Sequence, residues 1–205
     1  MKYPERLRKY LVMGSQDCLR DPSFILEEAI RGGVTAFQFR EKGKGSLTGI
    51  DKYHLGRKLR DICWKNEVLF FVNDDFDLFG DLDADGIHLG QEDMHVEEVR
   101  RAFPSTLIGL SISDERELEK APVTLVDYLG VGPVFSTSTK EDANPVVGTD
   151  LIAHVKAVHP HLPLVGIGGI NEENAHEVLS AGADGVAVVS AITLAENIRN
   201  AVKSL

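Results

Sequence analysis

The sequence predicts a single (β/α)8 TIM barrel, one closed α/β domain over residues 1–205 built from eight strand–helix units. Three observations carry that expectation. Short apolar runs and amphipathic stretches alternate along the whole chain at roughly 26 residues per unit, a tight but workable βα spacing. The runs are continuously apolar instead of alternating, as parallel strands are when helices cover the outer face of the sheet. The segment Ala84-Asp85-Gly86-Ile87 is echoed by Ala183-Asp184-Gly185-Val186, and each reads as the end of a helix, a glycine turn and the start of a strand. A doubly wound open sheet is the alternative, disfavoured because no Gly-x-Gly-x-x-Gly motif follows the first strand.

Taken in order, Tyr10 to Met13 is the first strand, and the helix after it places Leu26, Ala29, Ile30 and Gly33 on one face. Val34 to Phe39 is the second strand, and Leu55, Leu59 and Ile62 mark the second helix. Val68 to Val72 is the third, ending at Asn73-Asp74-Asp75, and a short mixed segment leads to the fourth, Gly86 to Leu89. Val96, Val99 and Phe103 form the next helix face. Leu107 to Ile112 is the fifth strand, with Asp114 as N-cap of the helix through Leu118. Leu125 to Val131 is the sixth, followed by the Gly132-Pro133 turn, a long polar loop and a helix carrying Leu151, Val155 and Val158. Leu164 to Ile167 is the seventh, ending in Gly168-Gly169, and its helix starts near Asn171 with Ala175, Val178 and Leu179 inward. Gly185 to Val189 is the eighth, and one helix with Ile192, Ala195, Ile198 and Val202 closes the chain.

A hydrophobic content of 43% and a charged content of 26% belong to an ordinary globular protein. A net charge of -10 disfavours nucleic acid or an anionic membrane as partner. It leaves room for a locally basic pocket that takes a phosphorylated substrate. Cys18 and Cys63 have no metal-ligand spacing and read as reduced thiols packed as small hydrophobes. The charged stretch Met1 to Arg6 precedes no signal-type segment, and no apolar run approaches the ~20 residues that cross a bilayer. The expectation is a soluble, cytoplasmic protein.

In such a barrel, function sits in the loops at the carboxyl ends of the strands. After the second strand, alternation points Gln38, Arg40 and Lys42 one way and Phe39 and Glu41 the other. Two cations and an amide on one face suit a polyanion such as a diphosphate. Asn73-Asp74-Asp75 and His88 to Asp93 supply carboxylates from neighbouring loops, which can grip one Mg²⁺ or simply cap helices. His88 is expected as a core or supporting histidine. Ser111 sits at the rim of the fifth strand, and Thr137, Ser138, Thr139 and Lys140 follow the sixth. Gly168-Gly169 and Val189-Ser190 end the last two strands, where barrels often hold a phosphate through backbone N–H groups. Two separate anion sites, one metal-assisted, point to an enzyme that joins two phosphorylated small molecules.

From Tyr10 to Ile192 the chain resembles the thiamin phosphate synthase family. The likeness rests on Gln38 to Lys42, Asn73-Asp74, Gly86 to Met94, Gly130 to Phe135, Thr137 to Lys140 and Ile167 to Ile170, in order and at strand ends. The resemblance implies condensation of hydroxymethylpyrimidine diphosphate with hydroxyethylthiazole phosphate, ordinary or carboxylated, to give thiamin phosphate and pyrophosphate. It implies that Gln38, Phe39, Arg40, Glu41, Lys42, Asn73, Ser111 and Lys140 hold the pyrimidine diphosphate. Asp74 and Asp93 would hold Mg²⁺, and Thr137, Ser138, Thr139, Gly169, Val189 and Ser190 the thiazole phosphate. Arg40, Lys42 and Lys140 would stabilise the departing diphosphate in a dissociative substitution. The chain departs from the family pattern at Asn144, where Gly is usual, and at Ser113, where His is usual. The alternatives are a thiazole tautomerase-like barrel, which expects a histidine in place of Pro133, and a non-catalytic sensor of a thiamin precursor.

Overall fold

A computed structural model of the chain describes residues 4–137 and 145–205. Eight strands close into a barrel in sequence order: β1 (Lys9–Met13), β2 (Ala36–Phe39), β3 (Leu69–Asn73), β4 (Gly86–Leu89), β5 (Leu107–Ile112), β6 (Tyr128–Val131), β7 (Leu164–Ile167) and β8 (Gly185–Val188). All pairings are parallel, and β8 closes onto β1 with Lys9 opposite Val186 and Leu11 opposite Val188. The helices are α1 (Pro22–Gly32), α2 (Gly49–Lys65), α3 (Phe76–Asp81), α4 (Val96–Ala102), α5 (Glu115–Lys120), α6 (Gly148–Val158), α7 (Ala175–Ser180), α8 (Ser190–Thr193) and α9 (Ile198–Lys203). The closed (β/α)8 barrel expected from the sequence is the fold observed. Among the described residues no helix is long and apolar enough to cross a membrane.

Several boundaries move, each for a local reason. β6 begins at Tyr128 and not at Leu125, because Leu125 N–H turns back to Pro122 O at 2.8 Å and Asp127 is held by its side chain. β2 begins at Ala36, since Val34 N–H still serves Ala29 O in the left-handed cap at Gly33. The mixed segment before β4 folds as α3, capped by Asp75, which accepts from Leu78 N–H at 3.0 Å. α7 starts at Ala175, because Asn171 spends its side chain accepting from Glu173 N–H. The closing helix is two pieces: Asn197 caps α9 by accepting from Asn200 N–H, in extended backbone that α8 cannot pass through.

Alternation along the strands sorts the core into two layers. Tyr10, Val12, Ala36, Leu69, Phe71, Tyr128, Val165 and Ala187 fill the barrel interior. Leu11, Phe37, Phe70, Ile87, Ile108, Leu129 and Val186 face outward to the helices. Three rings crowd the interior, with centroids 5.5 Å apart for Tyr10 and Phe71, 5.4 Å for Phe71 and Tyr128, and 6.0 Å for Tyr10 and Tyr128. Such rings fit only where a neighbouring strand gives up bulk. A Cβ on Gly109 would lie 2.2 Å from the Tyr128 ring. The interior is therefore filled by side chains, and a cavity opens above it.

At the opposite end, each even-numbered strand fastens its odd-numbered predecessor. Thr35 Oγ1 accepts from Lys9 N–H, Asp85 from Phe70 N–H, Asp127 from Ile108 N–H and Asp184 from Leu164 N–H, at 2.8–3.1 Å. The echoed Ala-Asp-Gly segments are two of these four fastenings.

Candidate functional site

Above the aromatic layer, at the carboxyl ends of the strands, lies a cavity of about 540 Å³. Tyr10, His88 and Tyr128 form its floor. Because Gln38 points inward, the residues two and four positions on, Arg40 and Lys42, reach the same space. Asn73, Asp74, Asp93, Ser111, Thr137, Gly169, Val189 and Ser190 also line it.

One corner is charged. Lys42 Nζ donates to Asp74 Oδ2 and stands 4.0 Å from Asp93 Oδ1. The hydrogen bond to Asp74, helped by the charge of both carboxylates, raises the Lys42 pKa against the pull of partial burial. Asp74 has φ 48°, left-handed backbone that Asp tolerates better than most residues, and its N–H is fixed on His88 O at 2.9 Å. Asp93 Oδ2 accepts from Gly90 N–H. Asp75 works elsewhere, capping α3 and pairing with Lys52 at 2.7 Å. Among the described residues no group of three His, Cys, Asp or Glu could hold a metal. Two hard carboxylates already gathered around one ammonium do fit Mg²⁺, which takes one or two protein carboxylates and fills its shell with phosphate oxygens and water.

The facing wall is backbone. Gly168 and Gly169 have φ 98° and 65°, and a Cβ on Gly169 would lie 2.4 Å from Ser136 O. This close approach lets the loop after β6 run along β7, with Val134 N–H on Ile167 O and Phe135 N–H on Gly168 O. Asn174 Nδ2 holds Gly169 O at 3.0 Å, and Val189-Ser190 opens α8 alongside. Ser138, Thr139 and Lys140 lie outside the described residues.

Two residues tied by resemblance to the pyrimidine diphosphate do not line the cavity. Phe39 packs outward on Phe70 and over Gly56 of α2. Glu41 is buried and accepts from Ser15 N–H, Ser15 Oγ and Leu47 N–H, tying the loops after β1 and β2 together. Their side chains support the site from behind. Conversely, Tyr10, Tyr128 and Gln91 line the cavity without having been singled out. For the tyrosines the signal was available: an inward hydroxyl in an otherwise apolar strand needs a partner. His88 is the supporting histidine expected, 2.8 Å from Tyr128 Oη and 2.9 Å from Ser111 Oγ. Burial lowers its pKa to about 4, outweighing the opposing charge of Asp93, so the ring is neutral near pH 7.

The model of the family described as thiamine monophosphate synthase matches residues 9–192. The chain belongs to the thiamine monophosphate synthase family. It is 56% identical to a thiamine-phosphate synthase of Oceanobacillus iheyensis, over 100% of both chains. It is 50% identical to a thiamine-phosphate synthase of Anoxybacillus flavithermus, covering 98% of this chain and 93% of the relative. Among solved structures, the thiamine phosphate pyrophosphorylase of Pyrococcus furiosus superposes with a TM-score of 0.86 at 36% identity, over 98% of this chain and 95% of that one. That solved chain thus shares this barrel.

Proposed function

We propose that this chain is a thiamine-phosphate synthase, a transferase that joins hydroxymethylpyrimidine diphosphate to hydroxyethylthiazole phosphate and releases pyrophosphate. One observation carries the reading: Arg40, Lys42, Asp74 and Asp93 line the same cavity as Thr137, Gly169, Val189 and Ser190. A cationic and acidic corner suited to a metal-bound diphosphate faces a glycine-rich wall suited to a phosphate. About 540 Å³ lies within the range for one compact ligand site, so two small substrates would be held in contact.

In this reading Gln38, Asn73 and Ser111 orient the pyrimidine ring, while Arg40, Lys42 and Lys140 stabilise charge growing on the diphosphate as it leaves. Asp74 and Asp93 would hold Mg²⁺, which when bound neutralises charge on the diphosphate oxygens. The bond between the pyrimidine methylene carbon and the diphosphate oxygen breaks with its electron pair going to diphosphate. The pyrimidine amino group supports the methylene cation until the thiazole nitrogen supplies a new pair. Thr137, Ser138, Thr139, Gly169, Val189 and Ser190 hold the thiazole phosphate so that this nitrogen faces the carbon. No protein base is needed. Phe39 and Glu41 contribute by fixing the strand end that carries Arg40. A reaction among water-soluble phosphates suits the cytoplasm.

The test is to mix both phosphorylated precursors with Mg²⁺ and measure pyrophosphate and thiamin phosphate. The proposal expects both products in equal amounts, dependent on Mg²⁺. Isomerised thiazole without pyrophosphate would overturn it in favour of the tautomerase, and product-free mixtures in favour of the sensor.

A further inference from the structure

The floor of the cavity carries three side chains that this chemistry leaves unused, Tyr10, Tyr128 and His88, strung between Gln38 and Ser111. Gln38 Nε2 donates to Tyr10 Oη at 3.2 Å, and the hydroxyls of Tyr10 and Tyr128 are 2.9 Å apart. Tyr128 Oη lies 2.8 Å from His88 Nδ1, and His88 Nε2 lies 2.9 Å from Ser111 Oγ. Residues from β2, β1, β6, β4 and β5 thus make one unbroken path across the barrel. Its two ends, Gln38 and Ser111, both line the cavity. The path has dedicated room: a Cβ on Gly109 would lie 2.5 Å from His88 Nδ1, and one on Gly130 would lie 3.0 Å from His88 Cε1.

Each hydroxyl in the path, and the neutral imidazole, has a single proton to give, so one donor choice fixes the next. An amide nitrogen only donates. Tyr10 therefore accepts from Gln38 and passes its own proton to Tyr128, and Tyr128 passes its proton to His88 Nδ1. The ring proton then sits on Nε2 and goes to Ser111 Oγ. In this sense every buried proton of the path has an acceptor, as burial demands. Toward the cavity, Gln38 is left showing its carbonyl oxygen and Ser111 its hydroxyl proton. Reversing any single link would set two protons, or two lone pairs, against each other.

We propose that Tyr10, Tyr128 and His88 are positioning residues that lock the hydrogen-bonding sense of Gln38 to that of Ser111. The cavity thereby selects a flat ring that offers a donor at the Gln38 end and an acceptor at the Ser111 end. An aminopyrimidine has both, an exocyclic amino group and an unprotonated ring nitrogen. The identity of that ring rests on the synthase reading; the one-way sense of the path does not.

The experiment is ¹⁵N NMR of histidine-labelled, ligand-free protein, with the His88 signal identified by its loss in His88→Gln. The expected state is His88 protonated on Nε2. In Gln38→Glu at about pH 8, where a carboxylate is ionised, the chain now ends in an acceptor. Every link then turns round, and the proton should move to Nδ1. Protonation on Nδ1 in the unaltered protein, or a His88 signal indifferent to Gln38→Glu, would overturn the proposal. Should Gln38→Glu fail to fold, Tyr10→Phe decides. Loss of one oriented hydrogen bond should raise KM for the pyrimidine diphosphate about tenfold and leave KM for the thiazole phosphate alone. Equal change in both, or in neither, would refute the relay. The NMR arm uses no substrate, so an inactive protein with the expected tautomers would sink the synthase reading and keep the relay.

Discussion

Replacing Asp93 by Asn tests the charged corner while sparing the loop. Asp93 Oδ2 accepts from Gly90 N–H, a bond that an amide oxygen can keep, so the substitution removes charge and little else. Lys42 Nζ, 4.0 Å from Asp93 Oδ1, sets an outer limit on how near a cation in this corner comes to that carboxylate, so the attraction worked from it is a lower bound. Two unit charges at such a distance attract by about 1 kcal/mol in water and about 4 kcal/mol at an effective dielectric constant of 20. The Lys42 side chain is 51% exposed and that of Asp93 23%, which favours the lower part of that range. About 1 kcal/mol per unit charge gives about 2 kcal/mol for a divalent ion, or about 30-fold weaker binding. The assay is pyrophosphate release against Mg²⁺ concentration. Asp93→Asn should shift half-saturation upward by at least that factor and recover much of its rate at high Mg²⁺. An unchanged Mg²⁺ requirement, or loss of rate accompanied by a fall in Tm, would rule out Asp93 as a metal ligand.

Gly169→Ala should lower both stability and affinity for the thiazole phosphate, because φ 65° disfavours any side chain and the new Cβ would lie 2.4 Å from Ser136 O. Thermal unfolding should show a loss of at least about 1 kcal/mol, and KM for the thiazole phosphate should rise while that for the pyrimidine diphosphate holds. His88 makes the fold acid-sensitive. Its folded pKa of about 4 lies below the ordinary histidine value, so between the two the unfolded chain binds the extra proton. Stability should therefore fall as pH drops from about 6.5 to about 4, by up to about 3 kcal/mol; urea titrations should show this slope flattened in His88→Gln. Asp85→Ala removes the acceptor of the Phe70 N–H at the foot of the barrel. It should cost about 1–3 kcal/mol, read as a lower Tm, with KM for both substrates unchanged.

Much of the site was legible because a strand's alternation is a local property. Gln38, Arg40 and Lys42 could be placed on one face from their spacing, and so could Phe39 and Glu41 on the other, which is why the latter two do not reach the cavity. What spacing cannot show is the meeting of distant strands. Tyr10 and Tyr128 are separated by 118 residues, and only the closed register brings their hydroxyls together. The same holds for Lys42, whose contact with both Asp74 and Asp93 depends on how three loops fold over one rim. Element boundaries slipped where polar side chains outbid apolar runs. Asp127 took the Ile108 N–H and delayed β6, and Asn197 broke the last helix. The aromatic layer was hidden in the glycines, since nothing in a sequence says which ring will occupy the space that Gly109 vacates.

The four fastenings made by Thr35, Asp85, Asp127 and Asp184 sit at the end of the barrel remote from the cavity. They divide the ring into four two-strand staves, each bolted at its foot, while the lips of the vessel carry the cavity. Changes at the lips therefore leave the bolts untouched, and the scaffold can hold its shape while its contents are renegotiated.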